Sequence, residues 1–111
     1  MGGCSQKKDI DMIVIWYKAS CTLVDSSLQN KACILYKNDY SGDTESDCEN
    51  LKVILNATTS SHVFDDYTCD ESNVSGVCVH QLRRLHFYNT HYTSSEATNE
   101  CYAMGGSPQP L

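Results

Sequence analysis

Apolar residues occur along this chain in short runs rich in β-branched and aromatic side chains, which is typical of strands. The first run, residues 10–16, is apolar on both faces and predicts a central strand of a sheet. Residues 33–36 and 51–55 predict two further strands, and residues 84–88 alternate polar and apolar positions as a half-buried strand does. The pattern therefore predicts more strand than helix.

Polar runs rich in Asn, Asp, Ser, Thr and Gly separate the predicted strands and supply turn geometry. Cys21 and Cys33 bracket one predicted hairpin loop. Residues 79–85 can also be interpreted as a short helix, because apolar side chains recur there every three positions. The Gly- and Pro-containing segment 105–111 predicts a flexible tail. We therefore expect residues 1–104 to form a small single-domain, disulfide-stabilised antiparallel β fold with long loops, mainly β in class.

The length and net charge of the chain exclude several classes of function. The chain has 111 residues and a net charge of −6, which fits one small acidic domain. Such a charge repels phosphate backbones, so we expect no nucleic-acid partner. No apolar run approaches the about 20 residues of a membrane span, so we expect no membrane partner either.

Seven cysteines stand at positions 4, 21, 33, 48, 69, 78 and 101. The absence of a C-x-x-C pair argues against zinc knuckles and thioredoxin-like sites, which need close thiol pairs. Dispersed cysteines instead predict disulfides that stabilise a small secreted domain. An odd count leaves at least one thiol free, intermolecular or paired with a segment outside this sequence, so we expect a monomer or a Cys-linked dimer, with the pairing left open by spacing alone.

N-glycosylation sequons at Asn56 and Asn73 lie in polar stretches and agree with secretion. The first residues are polar and contain no signal peptide, so we expect a secreted protein whose leader has been removed. A lipidated N-terminus at Gly2 and Cys4 is the rival interpretation, but Gln6 stands where the myristoylation pattern needs Ser or Thr.

Motifs at the two ends of the chain follow a suggestive order. They are Gly3-Cys4, Ile13-Val14-Ile15-Trp16-Tyr17, Gly76-Val77-Cys78, Phe87-Tyr88 and Cys101. This order resembles a divergent sushi, or complement-control, module like those of parasite-secreted immunomodulators, and the resemblance covers about half of the chain. It implies disulfides that join Cys4 to Cys78 and Cys69 to Cys101, with Cys21 to Cys33 as an addition.

A second resemblance is to arthropod salivary lipocalins. It is carried by Ile34-Leu35-Tyr36-Lys37-Asn38, Cys48 and Cys78-Val79-His80-Gln81-Leu82. This resemblance implies a truncated lipocalin-like ligand carrier. Too few residues separate Cys48 from Cys69 to supply the missing strands of a closed eight-stranded barrel.

The residues that could carry chemistry are few. His80, His86 and His91 lie near Cys78, and His80 and His86 would share one face of a strand. Zinc would need a reduced thiol and four converging ligands, so we expect surface histidines and neither metal nor cofactor.

Histidines and arginines also support an alternative function, a small secreted hydrolase or ribonuclease. His62 and His86 would act as acid and base, and Arg83 and Arg84 would stabilise the developing charge. The spacing of these residues matches no catalytic motif, and the acidic field of the protein opposes an RNA substrate.

Acidic side chains concentrate at residues 43–47, 65–66 and 70–71. Alternating oxygens can surround a calcium ion, but these runs lack the central Gly and the closing Glu of a calcium loop, so we expect solvated loops. The same negative charge would attract a basic partner and steer its association.

Tyrosine dominates the aromatic composition, with seven Tyr against two Phe and one Trp. Tyr combines an apolar face with a hydrogen-bonding tip and therefore suits exposed interfaces. We expect the partner-binding residues to be Tyr88, His91, Tyr92, Tyr40 and Tyr67. The expected function is a secreted binding module without catalysis that blocks a protein partner, such as a host cytokine, chemokine or complement component.

Overall fold

A computed structural model describes residues 7–10, 13–64 and 69–110, with side-chain environments from residue 17 onward. Within these ranges the chain forms seven strands and two helices. In order they are β1 (Lys7–Ile10), β2 (Ile13–Val24), β3 (Asn30–Lys37), α1 (Thr44–Ile54), β4 (Thr59–Phe64), β5 (Val74–His80), β6 (Arg83–Tyr88), α2 (Ser94–Ala103) and β7 (Ser107–Gln109). The prediction of a mainly β, disulfide-stabilised fold is confirmed.

All strand pairs of the described chain are antiparallel and follow the order β1-β2-β3-β6-β5-β7. The long strand β2 pairs with β3 along one edge, and on its other edge with β1 at its start and β4 at its end. The predicted central strand over residues 10–16 is therefore corrected. Ile10 ends β1 and pairs with Ile13 of β2, so the run is divided between two paired strands, and residues 13–16 pair only with β1 among the described strands. The part of β2 with a strand on both edges begins at Ala19. Of the strands that the structure describes, β1 and β4 pair only with β2, and β7 pairs only with β5, so the sheet is open rather than a closed barrel.

A β-bulge in β2 divides its side chains between the two faces of the sheet. Tyr17 pairs with Lys37 and Ala19 pairs with Tyr36, so Lys18 is an extra residue. Consequently Ala19 belongs to the main core and Tyr17 to a smaller cluster on the opposite face.

The main core lies between the sheet and the two helices. It contains residues of β2, β3, β5 and β6 together with Cys48, Leu51, Ala97 and Cys101 of the helices. The smaller cluster, on the other face, comprises Tyr17, Cys33, Leu35, Cys69 and Tyr88.

Three disulfides among the described cysteines each attach one covering segment to the sheet. Cys21–Cys48 joins α1 to β2, Cys78–Cys101 joins α2 to β5, and Cys33–Cys69 joins the segment before β5 to β3. They span 27, 23 and 36 positions, and such bridges stabilise a small domain by about 2–4 kcal/mol each.

The cysteine pairing implied by the sushi resemblance is wrong. In the β2–β3 register Cys21 lies opposite Ile34 and Cys33 lies opposite Thr22. Neighbouring positions of a strand point to opposite faces, so Cys21 and Cys33 cannot meet. Cys69, Cys78 and Cys101 are disulfide-bonded, but to other partners than implied. Cys4 itself lies outside the described residues, but its implied partner Cys78 is bonded to Cys101, so the implied Cys4–Cys78 pair is wrong.

Two of the predicted elements are also corrected. Residues 51–55 are not a strand, because α1 runs through them to Ile54 and is closed by Leu55. The helix begins in the acidic run 43–47, where the side chain of Asp43 accepts hydrogen bonds from the backbone N–H groups of Glu45 and Ser46. The run is therefore a helix start rather than a solvated loop.

The C-terminal half brings two more corrections. The segment 79–85 is a hairpin and not a helix, since Gln81 and Leu82 have φ values of 50° and 66° and form the turn between β5 and β6. The predicted flexible tail 105–111 contains β7, which pairs with β5. In the described part of the chain, neither helix is long and apolar enough to cross a membrane.

Candidate functional site

The predicted partner-binding residues occupy different environments. Tyr88 is 3% exposed and its hydroxyl donates to the carbonyl oxygen of Asp70 at 2.8 Å, so it is a core residue and the predicted exposed position is wrong. Tyr40 is half-buried and packs edge-on against Tyr36 with ring centroids 5.1 Å apart. Tyr67 lies outside the described residues. His91 and Tyr92 remain, and they line the same pocket.

This pocket, which we call the acidic pocket, has a volume of about 380 Å³ and lies between the end of β6 and α2. Its lining residues are His91, Tyr92, Glu96, Asn99, Glu100 and Ala103. A turn brings His91 and Tyr92 back over the strand, because both backbone N–H groups donate to the carbonyl oxygen of Tyr88. Helix α2 starts directly after this turn.

A capping box fixes the orientation of α2. The Thr93 hydroxyl accepts from the Glu96 backbone N–H at 3.1 Å, and the Glu96 carboxylate accepts from the Thr93 backbone N–H at 2.9 Å. Glu100 is four residues further and lies on the same helix face as Glu96. The two carboxylates therefore both belong to the wall of the acidic pocket.

Tyr92 is the aromatic floor of the acidic pocket. Its ring packs edge-on against Phe87 in the core, with centroids 5.0 Å apart. Burial raises the pKa of Tyr92 to about 12, and the negative charges of Glu100 and Glu96 add to the shift. The phenol is thus neutral at physiological pH and lies within the field of two carboxylates.

His91 connects the acidic pocket to the turn between β2 and β3. Its Nε2 lies 2.6 Å from Oδ2 of Asp25, and its Nδ1 lies 2.9 Å from the Thr90 hydroxyl. Asp25 accepts hydrogen bonds from the backbone N–H groups of Gln29 and Ser27, and with His91 these lower the pKa of its carboxyl. The Asp25 carboxylate therefore stays ionised and holds His91 in place.

An aromatic floor with two carboxylates on the wall is an environment for a cation. A lysine or arginine side chain can lie against the Tyr92 ring and pair with Glu96 or Glu100. Sequence reasoning found His91 and Tyr92 but missed both glutamates. The signal was present in the Thr93-x-x-Glu96 capping pattern, which predicts a helix with Glu100 one turn beyond Glu96.

The histidines and arginines of the hydrolase alternative are divided between the two faces of the sheet. Arg84 and His86 lie two positions apart on one face of β6, whereas Arg83 and His62 lie on the face of the main core. Arg83 is buried and its Nη1 lies 2.9 Å from both carboxylate oxygens of Asp47. His80 shares a face with Cys78 of the main core, two positions away along β5, whereas His86 pairs in register with Cys33 of the opposite cluster. The predicted shared face of His80 and His86 is therefore wrong.

His86 and His62 instead make local structural contacts. His86 is buried, with Nδ1 3.2 Å from the Cys33 carbonyl oxygen and Nε2 3.2 Å from the Glu71 carboxylate. The Nε2 of His62, at the other side of the sheet, lies 2.7 Å from the Thr44 hydroxyl at the start of α1. Across the described ranges, no three His, Cys, Asp or Glu side chains gather in a metal-binding arrangement.

Both sequon asparagines lie at the surface. Asn56, directly after α1, and Asn73, directly before β5, are exposed and have φ values of 56° and 60°. Asparagine tolerates this left-handed conformation better than most residues. The two side chains are thus sterically open to modification.

In comparisons with known proteins, no family model, curated protein or solved structure matches the chain.

Proposed function

We propose that this protein is a secreted binding module that binds and blocks a basic protein partner, such as a host cytokine, chemokine or complement component. The observation that carries the proposal is the acidic pocket, where Glu96 and Glu100 stand beside the aromatic floor of Tyr92. A lysine or arginine of the partner is the group that this pocket suits best.

The charge of the whole molecule supports a basic partner. A net charge of −6 accelerates the approach of a positively charged protein and repels acidic ones. Secretion is supported by the disulfides, since a small domain with three of them among its described residues is typical of oxidising compartments.

The experiment is a binding screen with purified wild-type protein against immobilised cytokines, chemokines and complement components. We expect binding to one or more basic members of the panel, with affinity that falls as salt rises from 50 to 300 mM, because exposed charge pairs are screened. Glu100→Gln should weaken the binding about tenfold, since it removes a charge from the acidic pocket without changing its shape.

Glu45→Gln is the matched control. Glu45 is exposed in the first turn of α1, which packs beside β4, whereas α2 packs beside β5 and β7. This substitution makes the same change in net charge away from the pocket, and we expect affinity within twofold of wild type. No binding across the panel, or equal losses for Glu100→Gln and Glu45→Gln, would contradict the proposed function.

A further inference from the structure

The turn between β2 and β3 holds a leucine in a conformation that favours glycine. Leu28 has a φ of 63°, and its backbone N–H donates to the carbonyl oxygen of Asp25 at 3.1 Å. The Asp25 N–H in turn donates to the Gln29 carbonyl oxygen at 2.9 Å. Such a turn, followed by a left-handed residue, normally carries Gly at that residue, because a Cβ there is unfavourable.

The side chain of Leu28 is also the most exposed among the large hydrophobic residues whose side-chain environments are described, at 83%. Leucine at this position therefore adds backbone strain and gives no compensating burial within the protein. Glycine would remove the strain, and a polar residue would remove the exposed apolar surface. Contacts within the protein explain neither the strained backbone nor the exposed apolar side chain. Both features point to a role for Leu28 in contacting another molecule.

Hydrogen bonds place Leu28 beside the acidic pocket. Asp25, the first residue of the turn, pairs with His91 of the acidic pocket, and the Thr90 hydroxyl donates to the carbonyl oxygen of Asn30 at 2.9 Å. On the other side of the turn, the Thr58 N–H donates to the carbonyl oxygen of Val24 at 2.9 Å. The turn thus lies between the acidic pocket and the connection from α1 to β4.

That connection adds further apolar surface at the same end of the sheet. Val53 and Ile54, at the end of α1, are both exposed. The Lys31 ammonium, at the start of β3, donates to the carbonyl oxygen of Asn56 at 3.2 Å and ties this segment to the hairpin. One end of the molecule therefore combines exposed apolar side chains with a pocket for a cation.

We propose that Leu28 is the apolar anchor of the partner-binding surface, and that it inserts into an apolar depression of the partner that is bordered by lysine or arginine. This inference rests on the proposed function and adds the residue and the partner chemistry. An apolar anchor surrounded by complementary charge is a common arrangement at the centre of protein interfaces. The acidic pocket receives the basic border, and Leu28 fills the depression.

The test compares Leu28→Gly with Leu82→Gly in the full chain. Leu82 is the matched control, because it also has a positive φ, 66°, and is 38% exposed in the turn between β5 and β6. Its carbonyl oxygen accepts from the N–H of Lys37, the last residue of β3, so it lies at the opposite end of β3 from Leu28.

Thermal unfolding is the first measurement and needs no partner. We expect Leu28→Gly to keep or raise the unfolding temperature, because it relieves strain and removes no buried surface. A fall of more than about 5 °C, which for a domain of this size corresponds to roughly 1 kcal/mol, would give Leu28 a structural role and overturn the proposal.

Binding is the second measurement, made with the panel protein that wild type binds. We expect Leu28→Gly to weaken that binding at least tenfold and Leu82→Gly to leave it within twofold. If Leu28→Gly binds like wild type while Glu100→Gln does not, the anchor is overturned and the proposed function stands. If wild type binds no panel member, both fail. A wild-type dimer that Leu28→Gly converts to a monomer would assign Leu28 to self-association and overturn the proposal as well.

Discussion

Arg83 on β6 and Asp47 on α1 form a buried ion pair in which Nη1 of the arginine lies 2.9 Å from each carboxylate oxygen. The same carboxylate accepts a hydrogen bond from the Tyr36 hydroxyl at 2.8 Å. Burial and this contact with Asp47 raise the pKa of Tyr36, so its phenol remains a donor at any physiological pH. Polar contacts and Cys21–Cys48 thus attach α1 to the sheet together.

Asp47→Ala should lower the free energy of unfolding by about 3 kcal/mol, because it leaves the buried Arg83 without its counter-charge. Urea denaturation of the oxidised protein measures the loss. Arg83→Met combined with Asp47→Leu is the control, since an apolar pair of similar volume removes the unpaired charge, and it should recover most of the stability. A loss below about 0.5 kcal/mol for Asp47→Ala would show that the pair is solvated.

Tyr88→Ala should destabilise the protein by about 3–5 kcal/mol, as expected for an aromatic side chain removed from a core. Tyr88→Phe keeps the ring and loses only the hydrogen bond to Asp70, so its cost should be about 1 kcal/mol. Thermal unfolding of both variants makes the comparison. An Ala variant as stable as wild type would return Tyr88 to the surface role that its sequence context suggested.

The pKa of Tyr92 reports on the acidic pocket directly. Ultraviolet absorbance should show this phenol titrating at about 12, and Glu100→Gln should bring its pKa closer to 10 by removing one of the charges that disfavour the anion. Since the folded-state pKa is raised, the contribution of Tyr92 to stability is complete below pH 10 and is lost as pH rises through 12. An unchanged titration in Glu100→Gln would place Glu100 away from the ring.

Thiol counting tests the disulfide framework. With six of the seven cysteines paired in the described structure, the denatured but unreduced monomer should react with one equivalent of thiol reagent, and Cys4→Ser should react with none. A Cys-linked dimer would also show no free thiol, and non-reducing electrophoresis separates the two cases. Three or more reactive thiols in the monomer would contradict the pairing.

The sequence predicted the sheet better than the elements that cover it. Strands such as β3 contain runs of β-branched and aromatic residues, and the preference of these residues for strands can be read from the local sequence. Residues 51–55 contain similar side chains and are therefore predicted as a strand. They form part of a helix because Asp43 caps its start and because Leu51 and Cys48 pack against the sheet. Such long-range contacts leave no mark on a short window of sequence.

The candidate site was likewise predictable where residue type decides and not predictable where long-range contacts decide. Tyr92 and His91 could be selected by residue type and position, but the burial of Tyr88 depends on which face of β6 it occupies. That face is set by the register with β3, which local pattern does not specify. The strain at Leu28 depends on a backbone angle and was likewise absent from the sequence pattern.

The positions of the disulfides along the chain determine whether the two fragments from a single backbone cleavage stay covalently joined. The loops closed by Cys21–Cys48 and Cys33–Cys69 overlap, so a cut between any two of their residues leaves the pieces crosslinked. Within the described chain from Cys21 to Cys101, only residues 70–77 lie outside every such loop, and their first four are exposed. One proteolytic event there would leave two fragments that no described disulfide joins, with Leu28 on one and the acidic pocket on the other, held together only by non-covalent contacts such as the pairing of β3 with β6.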